Sequence, residues 1–232
     1  MMADGGFNFG ELVDPDATIR QPWNAFSSLY YVFVGVFLIC LPYTKKTPEL
    51  SITSSKMLRV LYGISIIVTG LGSCFMHMSC TFIGQIFDVV GMYLVSVFIV
   101  MYALRSLPKY SVKLFSILYV VINAVLLYAL IYAPNLRRNL FLALILIGLV
   151  LEFALNRKKK GFNFDMLLAA ASSLALAYIF WQLDNSVRGM FFPQVGWFQG
   201  HHFWHLLGAT ACGVIYMHYS RNFRIANPCP PA

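Results

Sequence analysis

The sequence has few charged side chains and contains long stretches without any. Asp, Glu, Lys and Arg make up 11% of the 232 residues, whereas 59% of the chain is hydrophobic. Soluble domains normally carry about a quarter charged residues. This composition therefore argues against a soluble fold and favours a membrane protein that crosses the bilayer several times.

Two signals of other protein classes are also missing. The five cysteines form no C-x-x-C pair, and most fall in or beside apolar stretches, where we expect small buried side chains. They carry no information about the redox compartment. The beginning of the chain contains several acidic residues and no apolar core of a signal peptide, so no cleavable leader is expected.

Seven apolar stretches are long enough to cross a membrane, because roughly 20 residues at 1.5 Å rise span a 30 Å core. They predict an all-α membrane protein, built as a bundle of seven transmembrane helices. We expect residues 1–22 to form an extramembrane segment, 23–219 the transmembrane domain and 220–232 a cytoplasmic tail. The approximate spans are 23–42, 60–80, 84–104, 114–134, 139–155, 166–183 and 202–219.

The lysines and arginines lie mainly on one side of these spans, in the loops after the first, third and fifth spans and in the tail. Basic residues are retained on the cytoplasmic side. This predicts a cytoplasmic C-terminus and an exterior or lumenal N-terminus. It also explains the net charge of +8 as a topology signal, so no nucleic-acid partner is expected. The other side receives Arg20, Arg137, Arg138 and Arg188.

Polar residues interrupt the second and third apolar stretches. Asp88 is the one charged side chain between Val60 and Leu104, and Ser73 and His77 lie in the same segment. We expect a tight turn near residues 81–85 to join the two spans. Ionisable groups inside a membrane are costly and usually mark a functional site.

A second polar cluster, G-H-H-F-W-H at residues 200–205, opens the last apolar span. His201 and His205 are four positions apart, so on a helix both rings project from one face. This spacing suits two zinc ligands, and catalytic zinc usually takes three protein ligands. The predicted topology brings His77 and Asp88 to the same leaflet at a similar depth. We therefore predict a zinc site formed by His77, His201 and His205.

The last span lacks the glutamate of H-E-x-x-H zinc proteases, because no acidic residue lies between His201 and His205. Another carboxylate must then orient or deprotonate a bound water, and Asp88 is the acid at that depth. Ser73 lies one turn from His77 and is the candidate hydrogen-bonding group for that water or for a substrate oxygen. Each of these residues, taken alone, also fits a structural role as a packed or interfacial polar side chain.

Other polar residues are expected to be structural. Glu152 lies near the inner end of the fifth span, from which its side chain can reach water. His218 is expected at the cytoplasmic interface, and Trp181 and Asp184 are expected in an aromatic belt or rim. The last span contains no lysine, so a retinal Schiff base has no candidate there.

The polar motifs together resemble a known signature. S-x-x-x-H ending at His77, an aspartate early in the third span and H-x-x-x-H ending at His205 are similar to the pattern of seven-helix membrane hydrolases. That superfamily includes alkaline ceramidases, adiponectin and progestin receptors, and lipases that remodel GPI anchors. Two further stretches resemble the alkaline ceramidases, namely R-Q-P-W-N-A-F-S-S-L at 20–29 and Q-G-H-H-F-W-H-L-L-G at 199–208.

The resemblance implies a zinc-dependent lipid amidase that hydrolyses ceramide to sphingosine and a free fatty acid by attack of a zinc-bound water. It implies zinc ligation by His77, His201 and His205, with Asp88 and Ser73 as catalytic residues beside the water. The implied substrate is a membrane lipid. The implied location is a bacterial inner membrane or, in a eukaryote, the ER or Golgi membrane, with the active site towards the exterior or lumenal leaflet.

The resemblance also implies a calcium site, because eukaryotic members carry one in the acidic segment before the first span. Glu11 is the candidate ligand in this chain. Gln21 stands where an acidic ligand is expected, and Asp14 and Asp16 are the possible substitutes.

Three other functions remain open at this point. A receptor of the adiponectin or progestin type would use the same metal site, although the short loops and tail argue against it. A hydrolase acting on another acyl lipid fits the same residues. A transporter or pore would distribute polar residues through the depth of the bundle, whereas the candidate residues here cluster on one side.

Overall fold

The chain folds into seven α-helices in a computed structural model, which describes residues 10–42, 52–107, 110–159, 162–186 and 190–226. No β-strand occurs among those residues, so the all-α prediction is confirmed. The predicted tail at 220–232 and the predicted N-terminal segment lie partly outside the described residues. The helices are α1 (Pro22–Cys40), α2 (Lys56–Ser79), α3 (Phe82–Ala103), α4 (Val112–Tyr132), α5 (Arg137–Asn156), α6 (Asp165–Ser186) and α7 (Gly200–Ala226).

Six of these helices, α1 to α6, are long and apolar enough to cross a membrane. The seventh, α7, is 27 residues long but less apolar, because it carries His201, His202, His205 and His218. Length and composition therefore support six of the seven predicted spans. The crossing by α7 and the orientation of the termini stay predictions.

Hydroxyl side chains cap the N-termini of three helices. Ser55, Thr81 and Ser111 each accept a hydrogen bond from the backbone N–H three positions later. These bonds satisfy N–H groups that have no partner within the helix. The apolar periodicity alone could not give these starting points, and the observed helices begin between one and four residues from the predicted spans.

The turn between α2 and α3 is shorter than predicted. It consists of Cys80 and Thr81, and Gln85 already lies within α3. Cys80 adopts a left-handed conformation with φ of 46° and ends α2. Because Thr81 then caps α3 at once, the chain reverses within two residues, and the prediction of a turn across 81–85 is wrong.

Small residues let α2 and α3 approach closely. A Cβ added at Gly72 would overlap the carbonyl oxygen of Phe87 and lie 3.0 Å from the amide nitrogen of Asp88. Gly91 of α3 meets the backbone of Thr69 in α2 in the same manner. This contact sets Ser73, the residue after Gly72, opposite Asp88.

The helices pack in an order that leaves one side open. α2 packs between α1 and α3, α3 also packs on α4 and α5, and α7 packs between α6 and α1. In the described ranges α5 and α6 have almost no contact with each other. The bundle is therefore open between α5 and α6.

The end of the bundle remote from the histidine pair contains a buried ion-pair network. Glu152 of α5 accepts two hydrogen bonds from Arg105, at 2.8 and 3.0 Å, and its Oε1 lies 3.2 Å from Nε2 of His218. Glu152 and His218 are both fully buried. The predictions that Glu152 reaches water and that His218 is interfacial are therefore wrong, because each side chain finds its polar partner inside the bundle.

Candidate metal centre

Three histidines meet at one end of the bundle. His77 comes from the last turn of α2, and His201 and His205 come from the first turns of α7. Their ligand atoms all lie within 4.8 Å of one another, and all three side chains are buried. Within the part of the chain that the structure describes, this is the one such group of three or more possible metal ligands.

Gln21 holds the ring of His77. The Gln21 side-chain amide donates to the carbonyl oxygen of Glu11 at 2.9 Å, so its Oε1 accepts from Nδ1–H of His77 at 2.7 Å. The backbone N–H of Gln21 also donates to the carbonyl oxygen of His77 at 3.1 Å. With the proton on Nδ1, the lone pair of His77 lies on Nε2, the nitrogen that faces the other histidines.

Ser27 of α1 holds the ring of His205 in the same manner. Its hydroxyl donates to the carbonyl oxygen of Asn24 at 3.0 Å and accepts from Nδ1–H of His205 at 2.7 Å. The Nε2 atom of His205 therefore also presents a lone pair. Because two different elements fix the two rings, the donor atoms are oriented before a metal binds.

Asp184 of α6 holds the start of α7. Its carboxylate accepts from the backbone N–H groups of Gly200 at 3.2 Å and His201 at 3.1 Å, and from that of Gly10 at 3.0 Å. A carboxylate at a helix N-terminus is favoured by the helix dipole. Asp184 is expected in an aromatic belt or rim, but it is 3% exposed, because backbone donors from two segments surround it.

The donor set fits zinc. The Nε2 atoms of His77 and His201 lie 3.1 Å apart, and two nitrogens bound to one tetrahedral zinc lie roughly 3.4 Å apart. The Nε2 atom of His205 turns towards the same region, since it lies 3.2 Å from the hydroxyl oxygen of Ser73 on the cavity side. Three neutral imidazoles with one side open are typical of catalytic zinc sites.

Ser73 and Asp88 lie beside the histidines. The Ser73 hydroxyl is 3.2 Å from Nε2 of His205 and lies next to Asp88 of the facing helix, at the wall of the same cavity. Ser73 is buried, whereas Asp88 is half-buried at the wall of a cavity. The structure thus brings all five predicted site residues together, and their roles remain to be tested.

A cavity of about 780 Å³ opens from the histidines towards the gap between α5 and α6. Its inner wall includes His201, His205, Ser73 and Asp88, and its outer walls come from the first turns of α5 and the last turns of α6. Both polar and aromatic side chains line it. A molecule in this cavity can reach the histidines from the side of the bundle.

Glu11, the predicted calcium ligand, caps α1. Its two carboxylate oxygens accept from the backbone N–H groups of Trp23 at 2.9 Å and Asn24 at 2.8 Å. Burial raises the pKa of the Glu11 carboxyl above its ordinary value, although these two hydrogen bonds act in the opposite direction. Glu11 belongs to no group of three possible ligands in the described residues, and a calcium site there stays a prediction.

Sequence reasoning missed Gln21, Ser27 and Asp184 as partners of the metal centre. Gln21 and Ser27 both fall within the stretch 20–29, whose resemblance to a family is visible in the sequence. That resemblance marks the stretch without assigning its contacts, because the hydrogen-bonded histidines lie 56 and 178 positions away.

Comparison with known proteins adds one positive finding. A family model described as "Ceramidase" matches residues 17–227, which include the three histidines, Ser73 and Asp88. Among curated proteins, no sequence matches the chain.

Proposed function

Since the chain belongs to the ceramidase family, we propose that it is an integral membrane amidase that hydrolyses ceramide to sphingosine and a fatty acid with the help of zinc. The observation that carries this proposal is that the three clustered histidines, two of them held by hydrogen bonds, lie at the cavity beside Asp88 and Ser73. A structural cluster of histidines would need neither an adjacent carboxylate nor a cavity leading to it.

His77, His201 and His205 would hold the zinc ion. When bound there, zinc supplies a Lewis acid that polarises an amide carbonyl and makes water a stronger nucleophile. The chain itself provides the orientation, because Gln21 and Ser27 keep the donor nitrogens facing inward.

Asp88 is the proposed general base and acid. Its carboxylate accepts a proton from the attacking water while the new C–O bond forms at the amide carbon. The same carboxyl then gives the proton to the amine nitrogen as the C–N bond breaks. The products are a fatty acid and a free amine, and Asp88 returns to its starting state.

Ser73 is the proposed donor to the developing oxyanion. Its hydroxyl lies between Asp88 and His205, so a small rotation turns it towards a carbonyl oxygen in the cavity. Losing one such donor typically costs on the order of 10²–10³ in rate.

The gap between α5 and α6 is the proposed route for the lipid. The backbones of these helices lie apart, residues from both line the cavity, and Arg138 over Trp181 is a side-chain contact across the gap. A lipid amide can therefore slide in from the bilayer and keep its chains in an apolar environment while the amide reaches the histidines. The basic loops support a cytoplasmic C-terminus, and with that topology the proposed site would lie in the exterior or lumenal leaflet.

The proposal is tested on three detergent-purified proteins: wild type, His205→Ala and His202→Ala. For each, the zinc content and the rate of ceramide hydrolysis are measured. His202 lies on the same helix, but its ring bonds the carbonyl of Trp197 and not the cluster. We expect about one zinc per chain and fatty-acid release in wild type and His202→Ala, and the loss of both in His205→Ala. A zinc-loaded wild type that releases no fatty acid from ceramide would refute the proposed function.

A further inference from the structure

Two arginines line the outer part of the cavity. Arg137 and Arg138 form the start of α5, and Asp88 is the one acidic side chain among the described residues around the cavity. The two cations thus outnumber the single carboxylate. The polar group of ceramide is a neutral diol, which does not require a positive charge, so the proposed substrate leaves these arginines unexplained.

The position of the two arginines in the topology is also unusual. They lie on the side of the predicted spans that receives few basic residues, which are Arg20, Arg137, Arg138 and Arg188. Basic residues on that side oppose the charge rule that orients membrane proteins. Two of these four arginines, Arg137 and Arg138, therefore line the same cavity.

Each guanidinium keeps N–H groups that no described residue accepts, and both side chains line the cavity. Arg138 lies over the ring of Trp181, 5.7 Å from its centre, and makes no hydrogen bond or ion pair within the described part of the chain. Stacking on an aromatic face leaves the edge of a guanidinium open to anions. Arg137 donates one N–H to the carbonyl of Pro134 at 3.2 Å and has no described carboxylate within 4.0 Å, although Asp88 across the cavity is close enough to attract its charge.

We propose that Arg137 and Arg138 form an anion-recognition site inside the substrate cavity, which binds phosphate or carboxylate oxygens of a lipid. The site rests on the proposed function for its lipid substrate. The anion has two possible sources, an acidic headgroup on the N-acyl lipid or the carboxylate of the released fatty acid. Arginine suits both, because its planar donors match carboxylate and phosphate oxygens in pairs.

Direct binding tests the site without any turnover. The probes are an alkyl phosphate, a fatty acid and a fatty alcohol of equal chain length, added to the protein in a nonionic detergent. Trp181 and Trp204 line the cavity, so intrinsic fluorescence reports binding. We expect wild type to bind the two anions at least about tenfold more tightly than the alcohol, since a hydrogen bond to a charged group is worth about that factor.

Three variants isolate the arginines. R137Q/R138Q should bind all three probes with similar affinity, R137K/R138K should keep part of the preference, and R157Q at the other end of α5 should match wild type. Equal affinities for the three probes in wild type, or an anion preference unchanged in R137Q/R138Q, would overturn the proposal.

Turnover separates the two sources of the anion. If the headgroup is recognised, wild type cleaves ceramide phosphorylated on its primary hydroxyl with a higher kcat/KM than ceramide, and R137Q/R138Q loses that advantage. If the product is recognised, the headgroup has no effect, and R137Q/R138Q weakens inhibition by free fatty acid at least about tenfold. An intact anion preference in a protein that cleaves neither lipid would support the binding site and refute the proposed function alone.

Discussion

Two single hydrogen bonds decide how the histidines present their donor atoms. Gln21 accepts from Nδ1–H of His77 and Ser27 accepts from Nδ1–H of His205. Without these acceptors each ring could place its proton on either nitrogen and rotate. The candidate metal centre is thus oriented by residues of α1 and of the segment before it, neither of which carries a proposed ligand.

Gln21→Leu should weaken zinc binding while leaving the fold intact. The substitution removes the acceptor for His77 and keeps the side chain's approximate volume, and loss of such an outer partner typically costs about 10–100-fold in metal affinity. Zinc affinity is measured by competition with a chelator of known affinity. Gln182→Leu, in the wall of the same cavity, is the control, and equal affinities of the two variants would contradict the role of Gln21.

Asp88→Asn should keep zinc and lose turnover. The amide is nearly the same size but cannot accept the proton of the attacking water, so hydrolysis should fall by roughly 10²–10⁴-fold. The measurements are fatty-acid release and zinc content on the same preparation. Asp165→Asn, at an exposed position at the start of α6, should behave as wild type. A zinc-loaded and fully active Asp88→Asn protein would remove Asp88 from the mechanism.

The sequence predicts the inner residues of the site much better than the residues that support them. His77, Asp88, His201 and His205 are visible because polar groups are rare in apolar helices and because i and i+4 share a helix face. The hydrogen bond between Gln21 and His77 cannot be predicted from the sequence, because it depends on how the segment before α1 packs against the end of α2. Polar residues outside the spans are common, so their type alone carries little information.

At the scale of elements, the sequence predicts where helices form and fails to predict how they meet. Long apolar runs give the seven helices, because a helix satisfies all its backbone hydrogen bonds within one segment, as an apolar environment requires. The gap between α5 and α6 depends on side-chain shape across several helices. The two-residue turn at Cys80 and Thr81 was also missed, since it requires a left-handed conformation at a residue other than glycine.

Gly72→Ala should disturb the site through the spacing of α2 and α3. The added methyl would overlap the backbone of Phe87, so the helices must separate near Ser73 and Asp88. We expect a lower thermal midpoint and at least a tenfold loss of turnover, because a small displacement of a catalytic group costs about 10²-fold in rate. Both are measured in the same detergent.

Gly213→Ala provides the comparison, because the nearest atom to its added methyl is a side-chain carbon of Val34 at 3.8 Å. That distance is an ordinary contact, and alanine favours a helix over glycine by about 1 kcal/mol. Gly213→Ala should therefore be as stable and active as wild type. If Gly72→Ala and Gly213→Ala had the same thermal midpoint and the same turnover, the close approach at Gly72 would have no effect on the site.

At the scale of the whole molecule, α7 connects two polar clusters. The histidine pair lies in its first turns and His218 lies 13 residues after His205, which corresponds to about 20 Å along a helix. The pair belongs to the candidate metal centre, and His218 joins the network of Arg105 and Glu152. The two clusters do not share a side chain, so their effects should separate in experiments.

Glu152→Gln should destabilise the bundle and leave zinc binding unchanged. The substitution leaves Arg105 buried without its carboxylate, and breaking a buried ion pair from one side typically costs about 3–5 kcal/mol. A thermal melt and a zinc assay on the same sample measure the two effects. Arg157→Gln, which changes an exposed charge at the end of α5, should leave the melting temperature within error. Loss of zinc in Glu152→Gln would show that the two clusters are coupled.

The position of the ligands along the chain has a consequence for biosynthesis. His77 and His201 are 124 positions apart, and two of the three proposed ligands lie on α7, which is made after the other six helices. A nascent chain holding the first six helices has one ligand and no reactive centre. If the proposed function holds, hydrolysis requires α7 in its place between α6 and α1, so a chain still lacking α7 would leave the surrounding lipids intact.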